Sequence, residues 1–434
     1  MKQFDWELPH FSLSLERLWT HSEGPKFSKA HSDLMTLAQQ KLNEKFRSGK
    51  VGFYDWVESK DSVDFSAMQT LAKKLRHDFE GALCFGIGGS YLGPNAALEA
   101  LRSPEEKSHF PIGWVNNVDP GVMEDALYLI QKKRCAAIVI SKSGTTIETL
   151  SAFYHLSHQL DPKGFVMITD PKVGELRRLA SANGWNSFEV PPALGGRFSV
   201  LSAVGLFPML LGGLDAEAFF EGASEMRMAL QALPAEENPA YHFGLVSFLW
   251  DTQHHHPIHY LMPYGNPIQW LSQWFVQLWA ESLGKKTKDV KSISVGPTPV
   301  AAVGTCDQHS ILQLLKEGPS DKIVGFIEVG PSAQELCIKA PAFSTDPAFH
   351  FLFGHSFAEV TRKASRATET SLNNAKIPTY RIKLHHLSEK TLGAFFFFLE
   401  TACAAAGEFY GVDAFDQPGV EEAKKLLRQS LSAS

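Results

Sequence analysis

Six short segments carry residue types whose spacing could do chemistry. The first, GIGGSYLGP (Gly86 to Pro94), closes an apolar run and opens a helical one. Glycines at a strand-to-helix turn let backbone N–H groups approach an anion, and a helix start favours negative charge. The run is not the dinucleotide fingerprint, because Tyr91 stands where the third glycine belongs. A tight turn capped by Ser90 explains it equally well. The second, SKSGTTIE (Ser141 to Glu148), crowds Ser141, Ser143, Thr145, Thr146 and Lys142 around one glycine. Hydroxyls, an ammonium and helix-start amides suit the oxygens of a phosphate. Thr145 and Glu148 also fit a capping box, which by itself explains both residues.

The other four segments offer acids, bases and a fixed cation. GGRFS (Gly195 to Ser199) sets Arg197 beside a flexible backbone, and arginine can hold an oxyanion without titrating. In NPIQWLSQWFVQLWAESLGK, Asn266 suits a helix N-cap, Pro267 the first turn and Gly284 the position after the helix. Leu271, Trp274, Phe275 and Leu278 form a core-facing stripe, and Gln277 and Glu281 adjoin it four residues apart. Burial and the negative end of the helix dipole would raise the pKa of Glu281, which suits a general base. GTCDQHS places His309, a proton carrier near neutral pH, before a short helical run. FDQPGVEEAKKLL carries Lys424 on an amphipathic helix, where a lysine is usually only solvated.

These segments need elements to hold them. GALCF, CAAIVI (135–140) and GFVMIT (164–169) read as buried strands, each followed by a helical stretch. The alternation restarts with HPIHYLMPY (256–264), a strong helix over 266–283, KIVGFIEVG (322–330), a helix over 355–376, YRIKL (380–384) and a helix over 388–408. Strands alternating with helices imply βαβ units and parallel sheets, so two α/β domains in tandem are expected. Their join falls in the helical stretch 199–250, and residues 1–70 read as an N-terminal helical arm. A C-terminal helix over about 419–431 is expected to pack back onto the body.

Composition narrows the classes. Of 434 residues, 44% are hydrophobic and 20% charged, which excludes a disordered or disulfide-stapled chain. The balance of 41 basic against 47 acidic residues gives no basic excess for nucleic acid. Five scattered cysteines without a CxxC pair fit reduced thiols in the cytoplasm. MKQFDWELPHF lacks the apolar core of a signal peptide, and the apolar stretch from Leu392 to Gly407 is too short to span a bilayer. His254, His255, His256 and His259 match no metal-ligand pattern, so no metal site is expected.

Together the six segments resemble one family, glucose-6-phosphate isomerase. LGGRFSVLSAVG and FDQPGVEEAK are similar to its two signatures, and the other segments fall in the family's order between about 86 and 424. SKSGTT looks bacterial. The resemblance implies two doubly wound parallel-sheet domains of the sugar-isomerase (SIS) type, over 71–215 and 216–434, with helical arms at both ends. It implies a cytoplasmic homodimer with shared active sites, no metal or organic cofactor, a sugar phosphate as small-molecule partner, and neither nucleic acid nor membrane. By position, Glu281 would be the base, Arg197 the stabiliser of an enediolate, and His309 of the partner subunit, bonded to Glu148, the ring opener. Lys424 would act at the ring oxygen or O1. Ser90, Gly89, Ser141, Lys142, Ser143 and Thr146 would hold the phosphate, and Gln277 and Gln417 the sugar. Three other readings compete: an isomerase that also takes mannose 6-phosphate, a catalytically silent sugar-phosphate regulator, and a nicotinamide oxidoreductase. The regulator should lack the base or the arginine, and the oxidoreductase should carry the missing fingerprint.

Overall fold

The computed structural model of the chain describes residues 3–49, 51–288, 290–331 and 336–432. The N-terminal region, expected to be a helical arm, begins with two strands, β1 (Asp5–Leu8) and β2 (Phe11–Ser14), before its helices. β2 alternates buried with half-buried side chains, and Phe11 packs edge-on against Phe395 and Phe398. The region is thereby built into the core rather than laid over it.

The first sheet is formed by β3 (Gly81–Phe85), β4 (Ile112–Val115), β5 (Cys135–Ser141), β6 (Phe165–Thr169) and β7 (Asn186–Glu189). All pairings are parallel, in the order β4-β3-β5-β6-β7. The three central strands are buried along their whole length, which is why they read as unbroken apolar runs. The edge strands β4 and β7 are half-buried and partly polar, and no such run announces them.

A second sheet follows the helices between 203 and 252. Its strands include β8 (Ile258–Pro263), then, after the two-residue ribbon of β9 (Lys285–Lys286) and β10 (Ser294–Val295), β11 (Thr298–Ala301), β12 (Lys322–Val329) and β13 (Thr379–Leu384). The order is β1-β2-β13-β12-β8-β11, with the four later strands parallel and the N-terminal hairpin antiparallel at one edge. The expected helices are present, including Phe357–Asn374 and Glu389–Tyr410. The latter is long and apolar enough to cross a membrane, yet it is buried as a core helix with Phe395, Phe396, Phe397 and Phe398 facing different neighbours. Buried inside it, Glu400 has its pKa raised well above the usual carboxylate range by loss of water.

Two sequence expectations change. Asn266 and Pro267 lie in a short 3-10 turn, Asn266–Ile268, and the α-helix begins after it as Gln269–Leu283. Gly284 is not left-handed; its φ is −73°, and a Cβ there would come within 2.9 Å of the Ala280 carbonyl. The C-terminal helix, Glu421–Ser432, buries no residue and leaves Leu426, Leu427 and Leu431 exposed, so it does not pack back onto this chain.

Among the 254–259 histidines, His259 turns into the core and shares a hydrogen bond of 2.8 Å with the Tyr380 hydroxyl. Burial lowers its pKa to about 3, and burial lowers that of His242, packed among Phe4, Trp6, Trp19 and Phe27, to about 4. Both rings fold neutral and would protonate when unfolded below about 6.5. Their stabilisation is full above that pH and is lost as pH falls toward the folded values, at about 1.4 kcal/mol per pH unit per proton. Urea unfolding at pH 7.5 and pH 5 should therefore show a large acid loss that shrinks in His242→Phe; an equal loss in both proteins would refute this.

Candidate active site

The turns that carry GIGGS, SKSGTT and GGRFS follow the carboxyl ends of first-sheet strands, where ligands of open α/β sheets sit. After β3, Gly88–Ser90 makes a 3-10 turn in which Gly88 takes φ +57°. Ser90 does not cap the following helix, which is preceded by Tyr91 without a side-chain cap bond. This turn touches the one at Gly196–Phe198. A Cβ on Gly89 would sit 2.2 Å from the Gly196 carbonyl oxygen, so only glycine allows the contact.

After β5, the capping box does not form. Thr146 occupies the cap position of the Ile147–Ser157 helix with no side-chain cap bond. Its hydroxyl instead pairs with that of Ser141 at 2.8 Å, and the Ser143 hydroxyl accepts from the Thr145 N–H at 3.2 Å. The hydroxyls are thus gathered in one turn and not spent on ending a helix. That turn rests on the one after β6: Asp170 N–H donates to the Lys142 carbonyl and Leu176 N–H to the Gly144 carbonyl. Gly144 and Gly174 both have positive φ, and a Cβ on Gly174 would meet the Ser143 carbonyl at 2.3 Å. Burial lowers the pKa of the Lys142 ammonium, with Asp170 opposing this and the positive charge of Arg197 reinforcing it. Among the described residues its ammonium makes no hydrogen bond.

Arg197 is the centre of the site. It is 2% exposed, and each of its five N–H groups is engaged. Nε donates to the Ser282 hydroxyl at 2.6 Å. One Nη donates to Ala414 and Asp416 carbonyls at 2.5 and 2.9 Å. The other donates to Gln417 Oε1 at 2.9 Å and to Glu281 Oε2 at 3.3 Å. Burial lowers the guanidinium's pKa, and Glu281 opposes that shift. Gln277 Nε2 donates to the other Glu281 oxygen at 3.1 Å, while its own carbonyl oxygen is buried without a partner. Gln277 also lies against Gly88, whose Cβ would come within 3.0 Å of its amide nitrogen. The burial expected of Glu281 is partial, since 34% of its side-chain surface is exposed. One carboxylate is therefore held between an amide and a buried cation while part of it stays exposed.

Arg197, Glu281, Gln277, Gln417, Gly89 and the 141–146 turn are thus brought together. Three expected residues are not. His309 ends the exposed Cys306–His309 turn and makes no hydrogen bond to Glu148, Glu281 or Arg197 among the described residues. Glu148 is half-buried in the first turn of its helix. Lys424 is exposed and pairs with Glu421 at 2.8 Å. Sequence reading missed Ser282, Asp170 and Gly174. Only the glycine in DPKVGE signals a turn; Ser282 has no signal beyond its place beside Glu281.

A phosphoglucose isomerase family model matches residues 72–433. The chain belongs to the phosphoglucose isomerase family. Its similarity to the glucose-6-phosphate isomerase of Carboxydothermus hydrogenoformans is 34% identity over 96% of this chain and 91% of the relative. Against that of Rubrobacter xylanophilus it is 38% over 82% and 84%. Among solved structures, a Thermus thermophilus protein superposes with TM-score 0.85 at 30% identity, covering 97% of this chain and 99% of the other. A glucose-6-phosphate isomerase of Chlamydia trachomatis superposes with TM-score 0.77 at 23% identity, covering 100% and 90%, and shares the fold. In this member of the family the Gly89–Gly196 contact joins the first sheet's turns to the arginine. Gly89→Ala should push the two turns apart and lower kcat/KM at least ~100-fold, a loss of about 2.7 kcal/mol, while the circular dichroism spectrum stays that of the parent. Activity within a factor of two would show the contact to be dispensable.

Proposed function

We propose that this chain catalyses the reversible interconversion of glucose 6-phosphate and fructose 6-phosphate, a step of glycolysis and gluconeogenesis. The observation that carries this reading is the half-open Glu281 carboxylate paired with buried Arg197, in a chain whose hydroxyl-rich turn after β5 bonds within itself and caps no helix. Aldose–ketose isomerisation needs a base next to the carbonyl, a cation for the oxyanion and a handle on the substrate.

In this reading Ser90, Ser141, Lys142, Ser143 and Thr146, with the backbone at Gly89, hold the phosphate. Gln277 and Gln417 orient the sugar hydroxyls. Glu281 takes the proton from C2 of the open aldose and returns it to C1, passing through a cis-enediolate. The reverse reaction retraces the same path. Arg197 acts as the fixed positive charge for that enediolate. Because its N–H groups are all engaged, a substrate oxygen must replace Glu281 or Gln417 on the outward-facing Nη, and the 3.3 Å bond to Glu281 is the weakest to displace. Freeing Glu281 from the arginine as substrate arrives also releases the base for proton transfer.

The reading extends to a cytoplasmic homodimer. Supporting it are the exposed apolar face of Glu421–Ser432 and a patch with exposed Phe343, Phe349, Phe351 and Phe357. A second copy would cover both, bring its His309 to Glu148 and the bound ring, and give Lys424 a packed setting.

A coupled assay from fructose 6-phosphate in EDTA, with Glu281→Gln alongside, tests the reaction and the base. Fast parent turnover and a mutant that binds but fails to turn over are expected. Parent-like turnover in the mutant would remove the base assignment, and no turnover in the parent would favour a regulatory sugar-phosphate binder. Arg197→Ala should lower kcat more than it raises KM if the cation acts on the transition state; a pure KM effect would make it a binding residue. Shared sites predict complementation. Mixing inactive His309→Ala and Glu281→Gln proteins should recover about a quarter of parent activity, since half the random dimers are hybrids with one intact site. No recovery despite subunit exchange would place His309 outside the partner's site.

A further inference from the structure

A second cation meets the segment that Arg197 holds. Lys285 follows the Glu281 helix at once and lies in the short ribbon strand β9. Only 8% of its side chain is exposed. Its ammonium donates to the Asp416 carbonyl at 2.6 Å, to the Asp416 carboxylate at 2.7 Å, and to the Asp413 carbonyl. Arg197 donates to the Ala414 carbonyl and to the same Asp416 carbonyl. One backbone oxygen therefore receives both cations, and the loop 413–416 is gripped from two sides.

The loop is also fixed by packing and by its own bonds: Val412 and Ala414 are buried, and the Phe415 N–H donates to the Asp413 carboxylate at 3.0 Å. It runs from the left-handed Gly411, which ends the Glu389–Tyr410 helix, to the Pro418–Val420 turn and the exposed C-terminal helix. Phe415 packs against Phe53 and Phe198, and the Asp413 carboxylate pairs with exposed Lys288. The carbonyl oxygens of Asp413, Ala414 and Asp416 accept from the two buried cations. Two like charges close together repel, so each depends on the carbonyl oxygens between them; removing one cation leaves the other with a looser set of acceptors.

We propose that Lys285 is a positioning residue of the isomerase site: together with Arg197 it clamps the 413–416 carbonyls, fixing Gln417 and the outward Nη of Arg197 against Glu281. The inference rests on the functional reading above for its kinetic arm only. In the functional reading the phosphate is held by turns of the first sheet, whereas the Lys285 ammonium donates only to Asp413 and Asp416 among the described residues. The clamp therefore acts on the chemical step and on the C-terminal segment, not on the phosphate handle.

The test compares the parent with Lys285→Met, which keeps the length and loses the charge, and Lys285→Arg, which keeps the charge. Lys285→Met should lower kcat by ~10–100-fold, about 1.4–2.7 kcal/mol of barrier, with KM within about threefold. Hydrogen exchange of the amides over 411–420 should rise at least ~10-fold, equivalent to about 1.4 kcal/mol of lost protection. Lys285→Arg should recover most of both. Should Lys285→Met fail to fold, Asp416→Asn removes one anchor at an exposed position and should shift kcat and exchange in the same direction, more weakly. Parent-like exchange over 411–420 overturns the clamp. Raised exchange with unchanged kcat, or a rise in KM in place of a fall in kcat, overturns the positioning role. A parent protein without isomerase turnover would defeat the functional reading instead, and the exchange arm would then decide the clamp alone.

Discussion

Burying one guanidinium constrains the rest of this structure. Removing an ion from water costs on the order of several kcal/mol, and the cost is offset only where every donor finds an acceptor. Arg197 meets that condition with five N–H groups directed to Ser282, Glu281, Gln417 and two backbone carbonyls. Those acceptors come from two places, the helix that follows β8 and the chain beyond the last core helix. The arginine itself comes from the turn after the first sheet. A single side chain thus ties the two sheets and the C-terminal segment to one point. Its least well-made bond, the one to Glu281, is also the one a substrate must displace.

Glycine sets the distances around that point. Gly89 lets the turn after β3 lie directly on the turn that carries Arg197, and Gly174 lets the turn after β6 support the hydroxyl turn after β5. In both contacts a side chain would overlap a carbonyl oxygen. The close approach brings the turns at separate strand ends into direct contact. Hydroxyls that a capping box would have used bond within the turn instead, since the helix after β5 starts without a side-chain cap.

The expected site residues divide between two settings in the chain. Glu281, Arg197 and Gln277 meet within the chain, whereas His309 and Lys424 stand exposed on elements that bury little. The apolar side chains left bare lie on the same C-terminal helix and on the 343–357 stretch.

The sequence by itself determined the central strands, the order of the α/β units and the types of residue at the site. Fully buried parallel strands must be continuous apolar runs, and turns at their ends must carry glycine, so β3, β5, β6, β8 and β12 are legible. The six segments and their order likewise sufficed to identify the family. The edge strands β4, β7 and β11 were not legible, because half-buried strands containing glycine, proline or polar residues carry no such run. Nor was the N-terminal hairpin, which becomes sheet only by pairing with β13, near the opposite end of the chain. What only the tertiary structure decided was convergence. Capping and ligand binding use the same hydroxyls and predict the same residues, and the choice between them depends on which amide each oxygen meets. In the same way, the setting of Glu281 depends on Arg197, 84 residues earlier in the chain. Pairings of that range are set by packing between elements, which no local pattern of residues encodes.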